Sequence, residues 1–142
     1  MALLLGALAL LGGCQGDPVR GDSEPAGEQL QVLRVDPSEL GPTDHGREEP
    51  GLAEACHAWS LSPSQVARFF ELAERIDPQI LHQRFYFLPC RITGELQAEG
   101  CRWSFAINAA ATASWQCGDR QRWFGCRAAD CAPLVLMPPD ES

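Results

Sequence analysis

The chain has 142 residues, and 11 basic against 19 acidic side chains give it a formal net charge of −8. A chain of this length supports one domain, and its acidity argues against a nucleic-acid-binding protein, which needs a basic surface. The composition also excludes a collagen, a coiled coil and a membrane protein with several spans.

The N-terminus carries an apolar run from Ala2 to Leu11. At about 1.5 Å per residue this run is too short for a bilayer core of about 30 Å, but it suffices for a secretory signal. The run ends in Leu11-Gly12-Gly13-Cys14, which resembles the lipobox of bacterial lipoproteins. The resemblance implies a signal peptide over residues 1–13 and acyl chains on Cys14 that anchor the protein in a membrane.

The residues after the cysteine indicate which membrane holds the protein and whether the segment that follows is folded. In lipoproteins an acid at this position favours the inner membrane, so Gln15 favours the outer membrane, with the protein facing the periplasm. Residues 14–51 are rich in Asp, Glu, Gly, Pro and Ser. Such a segment buries too little apolar surface to offset the entropy of ordering it. It is predicted as a disordered acidic tether, with an edge strand at residues 30–35 as the alternative.

One helix is predicted from residue 62 to about residue 76. Ser62 and Gln65 fit a capping box, Pro63 fits the first turn, and the apolar side chains that follow recur at helical spacing. Asp77-Pro78 ends the helix because the residue before a proline avoids the helical conformation.

After the helix the apolar period changes to two, which is typical of strands. Strands are predicted at residues 91–98, 101–108, 111–117 and 121–126, with an additional one at 85–88. The predicted fold class is therefore α+β: a small antiparallel β-meander of about four to five strands with one helix packed on the apolar face, stapled by disulfides. This single domain covers residues 52–137, and residues 138–142 form a loose tail.

The hairpin turns predict the strand register. A two-residue turn at Glu99-Gly100 pairs residues whose numbers add up to 199, so Gly94 faces Phe105 and leaves room for its ring. A loop over residues 108–110 makes the numbers of the next pair add up to 218. Both registers place the tryptophans at 103 and 115 on one face, opposite a polar face.

Six cysteines remain when Cys14 is set aside, and an even number in an exported protein indicates disulfides. Six cysteines allow 15 connectivities, and a zinc site is the rival interpretation, although the chain has no CxxC pair. The strand register predicts the pair Cys101–Cys117, and the short separation in sequence predicts Cys126–Cys131. Elimination then leaves Cys56–Cys90.

No catalytic motif is found, neither a nucleophile elbow nor HExxH nor a phosphate-binding loop. The chain is therefore predicted to be no enzyme and to hold no metal and no cofactor apart from the lipid on Cys14. Of the four tryptophans, Trp59 and Trp123 are those expected to reach the surface. The candidate binding residues come from the polar sheet face, the arginines near the strand ends and the last disulfide loop: Arg102, Gln116, Arg122, Arg127 and Asp130.

The predicted function is that of a membrane-anchored envelope lipoprotein acting as a non-catalytic protein-binding module. An inhibitor or immunity protein against a periplasmic or cell-wall-degrading enzyme fits, because a small disulfide-bonded domain loses little entropy on binding. The alternative is an accessory structural subunit of an envelope or secretion assembly. Such a subunit would dock through an apolar patch, and the apolar residues 132–137 supply that patch or add an edge strand. The expected partners are the membrane, through the lipid, and an envelope protein, with no nucleic acid.

Overall fold

The structure, a computed structural model, describes residues 29–42 and 50–140. The predicted signal peptide, Cys14 and most of the predicted tether lie outside these residues. The described part combines a seven-stranded antiparallel sheet with α-helices and a 3₁₀ helix, which confirms the α+β class. None of the helices in these two ranges has the length and apolar character needed to cross a membrane.

The sheet has more strands than predicted. The strands are β1 Gln31–Val35, β2 Glu39–Leu40, β3 Glu74–Arg75, β4 Cys90–Ala98, β5 Cys101–Asn108, β6 Thr112–Cys117 and β7 Arg120–Gly125. The helices are α1 Leu52–Ala58, α2 Pro63–Leu72, α3 Pro78–Arg84 and the 3₁₀ helix Ala129–Leu134. The strand order is β1-β4-β5-β6-β7-β3, and β2 pairs with the start of β4. The predicted meander is therefore β4 to β7, extended at both edges.

β1 and β2 lie in the segment that was predicted as a tether. β1 pairs antiparallel with β4 across a bulge at Leu33, and its side chains Val32 and Val35 pack against the core. The edge strand, the alternative for residues 30–35, is therefore the correct interpretation, and the fold begins well before residue 52. Three branched apolar residues in one short run suffice for an edge strand, and an average over the whole acidic segment hides them.

Helix α2 begins as predicted but ends early. The Ser62 Oγ accepts from the Gln65 amide at 3.2 Å, and the Gln65 side chain accepts from the Ser62 amide at 2.8 Å, which completes the capping box. The helix ends at Leu72 rather than near residue 76, because β3 pairs with the edge of β7. Backbone pairing with a sheet edge thus outweighs the continuation of the helix.

The Asp77-Pro78 pair also begins a helix, α3, which was not predicted. The Asp77 carboxylate accepts from the Gln79 amide at 2.8 Å, and Pro78 occupies the first turn, where its missing N–H costs nothing. Residues 85–88, predicted as an additional strand, follow this helix as an extended segment that joins no strand of the described sheet.

The register is confirmed for the first hairpin and wrong by two residues for the second. In the pair β4–β5 Gly94 faces Phe105, as predicted. In the pair β5–β6 Phe105 faces Trp115, so that the residue numbers add up to 220. The loop is residues 109–111, and Ala111 adopts a left-handed backbone conformation with φ 72°. A shift of two residues leaves the side chains of β5 and β6 on their predicted faces.

The core lies between the tryptophan face of the sheet and α2. The Phe70 ring packs edge-on against the rings of Trp115 and Phe105, at centroid distances of 5.2 and 5.8 Å. Trp59, expected at the surface, is buried, and its indole N–H donates to the Leu134 carbonyl at 2.9 Å. Residues 132–137 neither add a strand nor form a broad patch, because Leu134 and Val135 are buried in this core.

The three predicted disulfides are present. They join positions whose Cα atoms are 5.9, 6.6 and 6.2 Å apart, in the pairs Cys56–Cys90, Cys101–Cys117 and Cys126–Cys131. These distances lie within the range that a disulfide spans. Because of the altered register, the second bridge joins diagonal rather than directly facing positions of β5 and β6.

Candidate binding site

The sheet face opposite the tryptophan core is covered at one end by α3 and residues 85–87. This cover rests on Gly125 of β7. A Cβ at that position would collide with the Phe85 ring and would lie 2.8 Å from the Ile76 Cδ1. The missing side chain therefore lets the Phe85 ring lie directly on the strand, which fixes the distance between α3 and the sheet.

A groove of about 550 Å³ runs between this cover and the sheet. We call it the α3 groove. Its floor is formed by small or polar residues of β5 and β6, and its walls by aromatic and apolar side chains of α3, the following segment and β7. The lining residues are Pro78, Leu81, His82, Phe85, Tyr86, Phe87, Arg91, Ala106, Asn108, Thr112, Ala113, Ser114 and Trp123.

Aromatic rings give the α3 groove its apolar surface. Phe87 is 77% exposed and Tyr86 is 47% exposed, while Trp123 is half-buried. Trp123 reaches this face because it pairs with Ser114 of β6, whose side chain lies on the sheet face opposite the tryptophan core. Exposed aromatic side chains around a concave surface are typical of ligand and protein binding sites.

The floor of the α3 groove offers free hydroxyl groups. Within the described ranges neither Thr112 nor Ser114 makes a side-chain hydrogen bond, and neither hydroxyl is buried without a partner. Asn108 differs, because its side-chain amide donates to the Leu88 carbonyl at 2.6 Å and its oxygen accepts from two backbone amides. Asn108 therefore links β5 to the segment that precedes β4, and the hydroxyls of Thr112 and Ser114 remain free to bind a ligand.

Among the described residues, one arginine lines the α3 groove. This residue, Arg91, forms an ion pair of 3.5 Å with Glu39, in which both side chains are more than half exposed. His82 also lines the groove, and Arg84 follows on the same helix without an ion pair in the described part of the chain. No carboxylate is among the described lining residues. This charge distribution favours a ligand that carries carboxylates.

The C-terminal tail contacts one wall of the α3 groove. The Tyr86 hydroxyl donates to the Asp140 carboxylate. This hydrogen bond and the negative charge of Asp140 raise the pKa of Tyr86 above its ordinary value. The amides of Leu136 and Met137 donate to the Ala109 carbonyl at 3.0 Å, so the tail starts beside the loop after β5. Of the residues predicted to form a loose tail, 138–142, Asp140 is therefore held by Tyr86.

Two of the predicted binding residues, Arg102 and Gln116, lie on the open face but away from the α3 groove, towards the β4–β5 turn. Arg102 donates to the Glu95 carboxylate at 3.0 Å. This hydrogen bond, with the charges of Arg102 and Arg34, lowers the pKa of Glu95, although partial burial opposes the shift. The Arg102 guanidinium is thus engaged within the protein.

Arg122 lies on the opposite face from the one predicted. The β7 register places it beside Trp115, and its guanidinium lies 5.1 Å from the centre of the Trp103 ring. It also forms an ion pair of 2.8 Å with Glu99. Arg120 lies above the same ring at 4.8 Å. Arg122 was selected as a residue of the polar face, but it covers the end of the core on the tryptophan face.

The disulfide loop that contains Arg127 and Asp130 is tied to the rest of the fold. Arg127 forms an ion pair of 3.1 Å with Glu74 of β3. Asp130 forms one of 3.3 Å with Arg68 of α2. The five predicted binding residues thus occupy three separate places, and the structure does not bring them together into one site.

Comparisons with protein-family models, with curated proteins and with solved structures found no match. The described ranges also contain no group of three or more His, Cys, Asp or Glu side chains suited to hold a metal. Two signals in the sequence point to the α3 groove. Three consecutive aromatic residues stand at 85–87. Trp123 also directly precedes Phe124 in a strand, so the two side chains point to opposite faces of the sheet and only one of them can face the core.

Proposed function

We propose that the protein is a membrane-anchored, non-catalytic binding protein of the bacterial cell envelope, and that the α3 groove receives a segment of a partner protein. The observation that carries this proposal is the exposure of Phe87 and Tyr86 beside Trp123, above a floor with free hydroxyls. Aromatic and arginine side chains in such pockets contribute most of the free energy of protein–protein binding.

The proposed location is the periplasmic side of the outer membrane. The resemblance of Leu11-Gly12-Gly13-Cys14 to a lipobox supports a lipid anchor. The three disulfides support an oxidising compartment, where such bonds form and persist.

The shape of the site bears on the kind of partner. The loop with Arg127 and Asp130, which would serve an inhibitor that inserts a loop into a cleft, is tied to β3 and α2 by exposed ion pairs with Glu74 and Arg68 and is not concave. A concave site instead receives a protruding segment of an enzyme, a toxin or an assembly component. The accessory role in an envelope assembly is the second candidate, favoured by Phe87, an apolar side chain that remains 77% exposed in the isolated chain.

The test uses a photo-crosslinking amino acid at His82, which is exposed and lines the α3 groove. In the lipidated full-length protein we expect it to crosslink one envelope protein. Replacing Phe87 by serine should reduce this yield strongly, because truncating a central aromatic residue costs about 2 kcal/mol or more, roughly 30-fold in affinity. Phe87 is so exposed that the fold should tolerate the change.

The matched control places the same crosslinking residue at Gln121, an exposed position of β7 away from the α3 groove. Crosslinks from Gln121 to the same protein, with the same yield, would contradict a role for the groove. A yield from His82 that is unaffected by Phe87→Ser would do so as well.

The anchor has its own test. Replacing Cys14 by serine removes the thiol that would carry the lipid, so the variant should move from the membrane fraction to the soluble periplasmic fraction. Cell fractionation with immunodetection measures this, and Cys14→Ser protein that stays with the membrane would contradict the lipobox interpretation.

A further inference from the structure

The tail and the charges at the α3 groove together indicate what kind of segment fits there. Arg91 is the arginine among the lining residues, its 3.5 Å ion pair with Glu39 is exposed on both sides, and the described lining residues include no carboxylate. Asp140, an acid of the chain's own tail, reaches a groove wall, where its carboxylate accepts from the Tyr86 hydroxyl. Asp140 follows directly after Pro138-Pro139.

Proline next to an acid suits such a groove for a physical reason. The proline ring fixes φ, so a proline-containing segment is already extended and loses little entropy when it binds. Grooves lined by aromatic rings accept segments of this kind, because the rings stack on the flat proline side chain. A following carboxylate then meets the Tyr86 hydroxyl and the Arg91 guanidinium.

We propose that the α3 groove recognises an extended, acidic, proline-containing segment of a partner protein, and that the chain's own tail competes for one wall of this site. This inference rests on the proposed binding function. In the free protein the tail occupies only the Tyr86 wall, since Pro138, Pro139 and Asp140 are not among the residues that line the groove. A stronger ligand of the same chemistry would displace it.

The tail can be released by Asp140→Asn, which removes the charged acceptor of the Tyr86 hydroxyl. The matched control is Asp119→Asn, an equal change of charge in the exposed turn between β6 and β7. The probe is a fluorescein-labelled peptide with the chain's own sequence at residues 137–142, Met-Pro-Pro-Asp-Glu-Ser, titrated against the full-length protein in fluorescence anisotropy.

We expect the peptide to bind the Asp140→Asn protein several-fold more tightly than the wild type and the Asp119→Asn control. A peptide with asparagine and glutamine in place of its acids should bind several-fold more weakly, as should the acidic peptide to an Arg91→Gln variant, since a contact between exposed charges changes affinity by roughly several-fold. Equal binding of acidic and neutral peptides, or equal binding by wild type and Asp140→Asn, would overturn the inference.

A second readout uses Tyr86, the only tyrosine of the chain, whose phenolate absorbance reports its titration without ambiguity. The neutral phenol is the donor to Asp140, so the tail contact is present below the ordinary pKa near 10 and is lost as the pH rises through the raised pKa. Asp140→Asn should lower the pKa of Tyr86 towards its ordinary value, and Asp119→Asn should leave it raised. An ordinary pKa in the wild type would mean that the tail is not held, and would overturn the competition.

The two proposals fail in different ways. If His82 crosslinks a partner in a Phe87-dependent manner but no acidic peptide binds, the groove binds a partner of other chemistry and only the present inference is overturned. If the crosslink is independent of Phe87, the proposed function is overturned as well.

Discussion

Replacing Cys56 and Cys90 together by alanine is expected to lower the free energy of unfolding by about 4 kcal/mol. The bridge joins α1 to the first residue of β4 across a separation of 34 residues. A crosslink restricts the unfolded chain, and a longer loop loses more conformational entropy when it is closed. Denaturant unfolding of the oxidised wild type and the double variant measures the difference.

The matched control is the double replacement of Cys126 and Cys131, whose separation is only 5 residues. For this loop the same relation gives about 2 kcal/mol. All four cysteines are at most 1% exposed, so the cavities left by the two double replacements are comparable and loop length is the main difference. If the short bridge proved as stabilising as the long one, packing around the sulfur atoms rather than chain entropy would determine the effect.

Gly94→Ala is expected to lower the free energy of unfolding by about 2–3 kcal/mol. A Cβ at this position would collide with the Arg34 carbonyl of β1 and would lie 2.6 Å from the Phe105 Cζ. The carbonyl belongs to the backbone of the paired strand, so it moves only if β1 shifts away from β4. Denaturant unfolding gives the change in stability, and hydrogen exchange of the β1 amides reports whether that strand loses its protection.

The control is Gly41→Ala, because a Cβ there would lie at an ordinary distance of 3.7 Å from the Pro89 carbonyl. This variant should be neutral or slightly more stable, since alanine reduces the freedom of the unfolded chain by about 0.4–1 kcal/mol. Equal destabilisation by both replacements would show that the close contact at Gly94 is not the cause.

The comparison of the two hairpins shows which parts of a register a sequence specifies. Glu99-Gly100 is a turn whose residue types match the backbone it needs, with φ 50° and 70°, and it determines the β4–β5 register. The next loop places Ala111 in the left-handed region, which alanine rarely adopts, so nothing in the sequence distinguishes a loop at residues 108–110 from one at 109–111.

The elements that were missed depend on contacts distant in the chain. β1 is ordered by pairing with β4, more than 50 residues later in the chain. In an average of hydrophobicity over the segment, the acidic residues around β1 outweigh its few apolar residues. α3 had a local signal, the capping Asp77 followed by Pro78, but this pair also ends a preceding helix, and that interpretation concealed the second one.

The candidate site was missed because the sequence predicted a single helix on one face of the sheet. The α3 groove exists only because α3 returns to the other face and rests on Gly125, a contact between residues about 40 apart in the chain. The predicted residues Arg102 and Arg127 were chosen for their residue type, which does not reveal that acids of the same chain already engage them.

The chain enters the sheet at a corner that is far from the α3 groove. β1 starts beside Gln97, near the β4–β5 turn, whereas the α3 groove lies around Arg91 and the start of β6. With about 3.3 Å per residue and about 4.8 Å per strand, these points are roughly 20 Å apart along the strands and about 15 Å across them. An anchor that precedes β1 would therefore be attached to one corner of the sheet, and the aromatic rings of the α3 groove lie at the diagonally opposite corner.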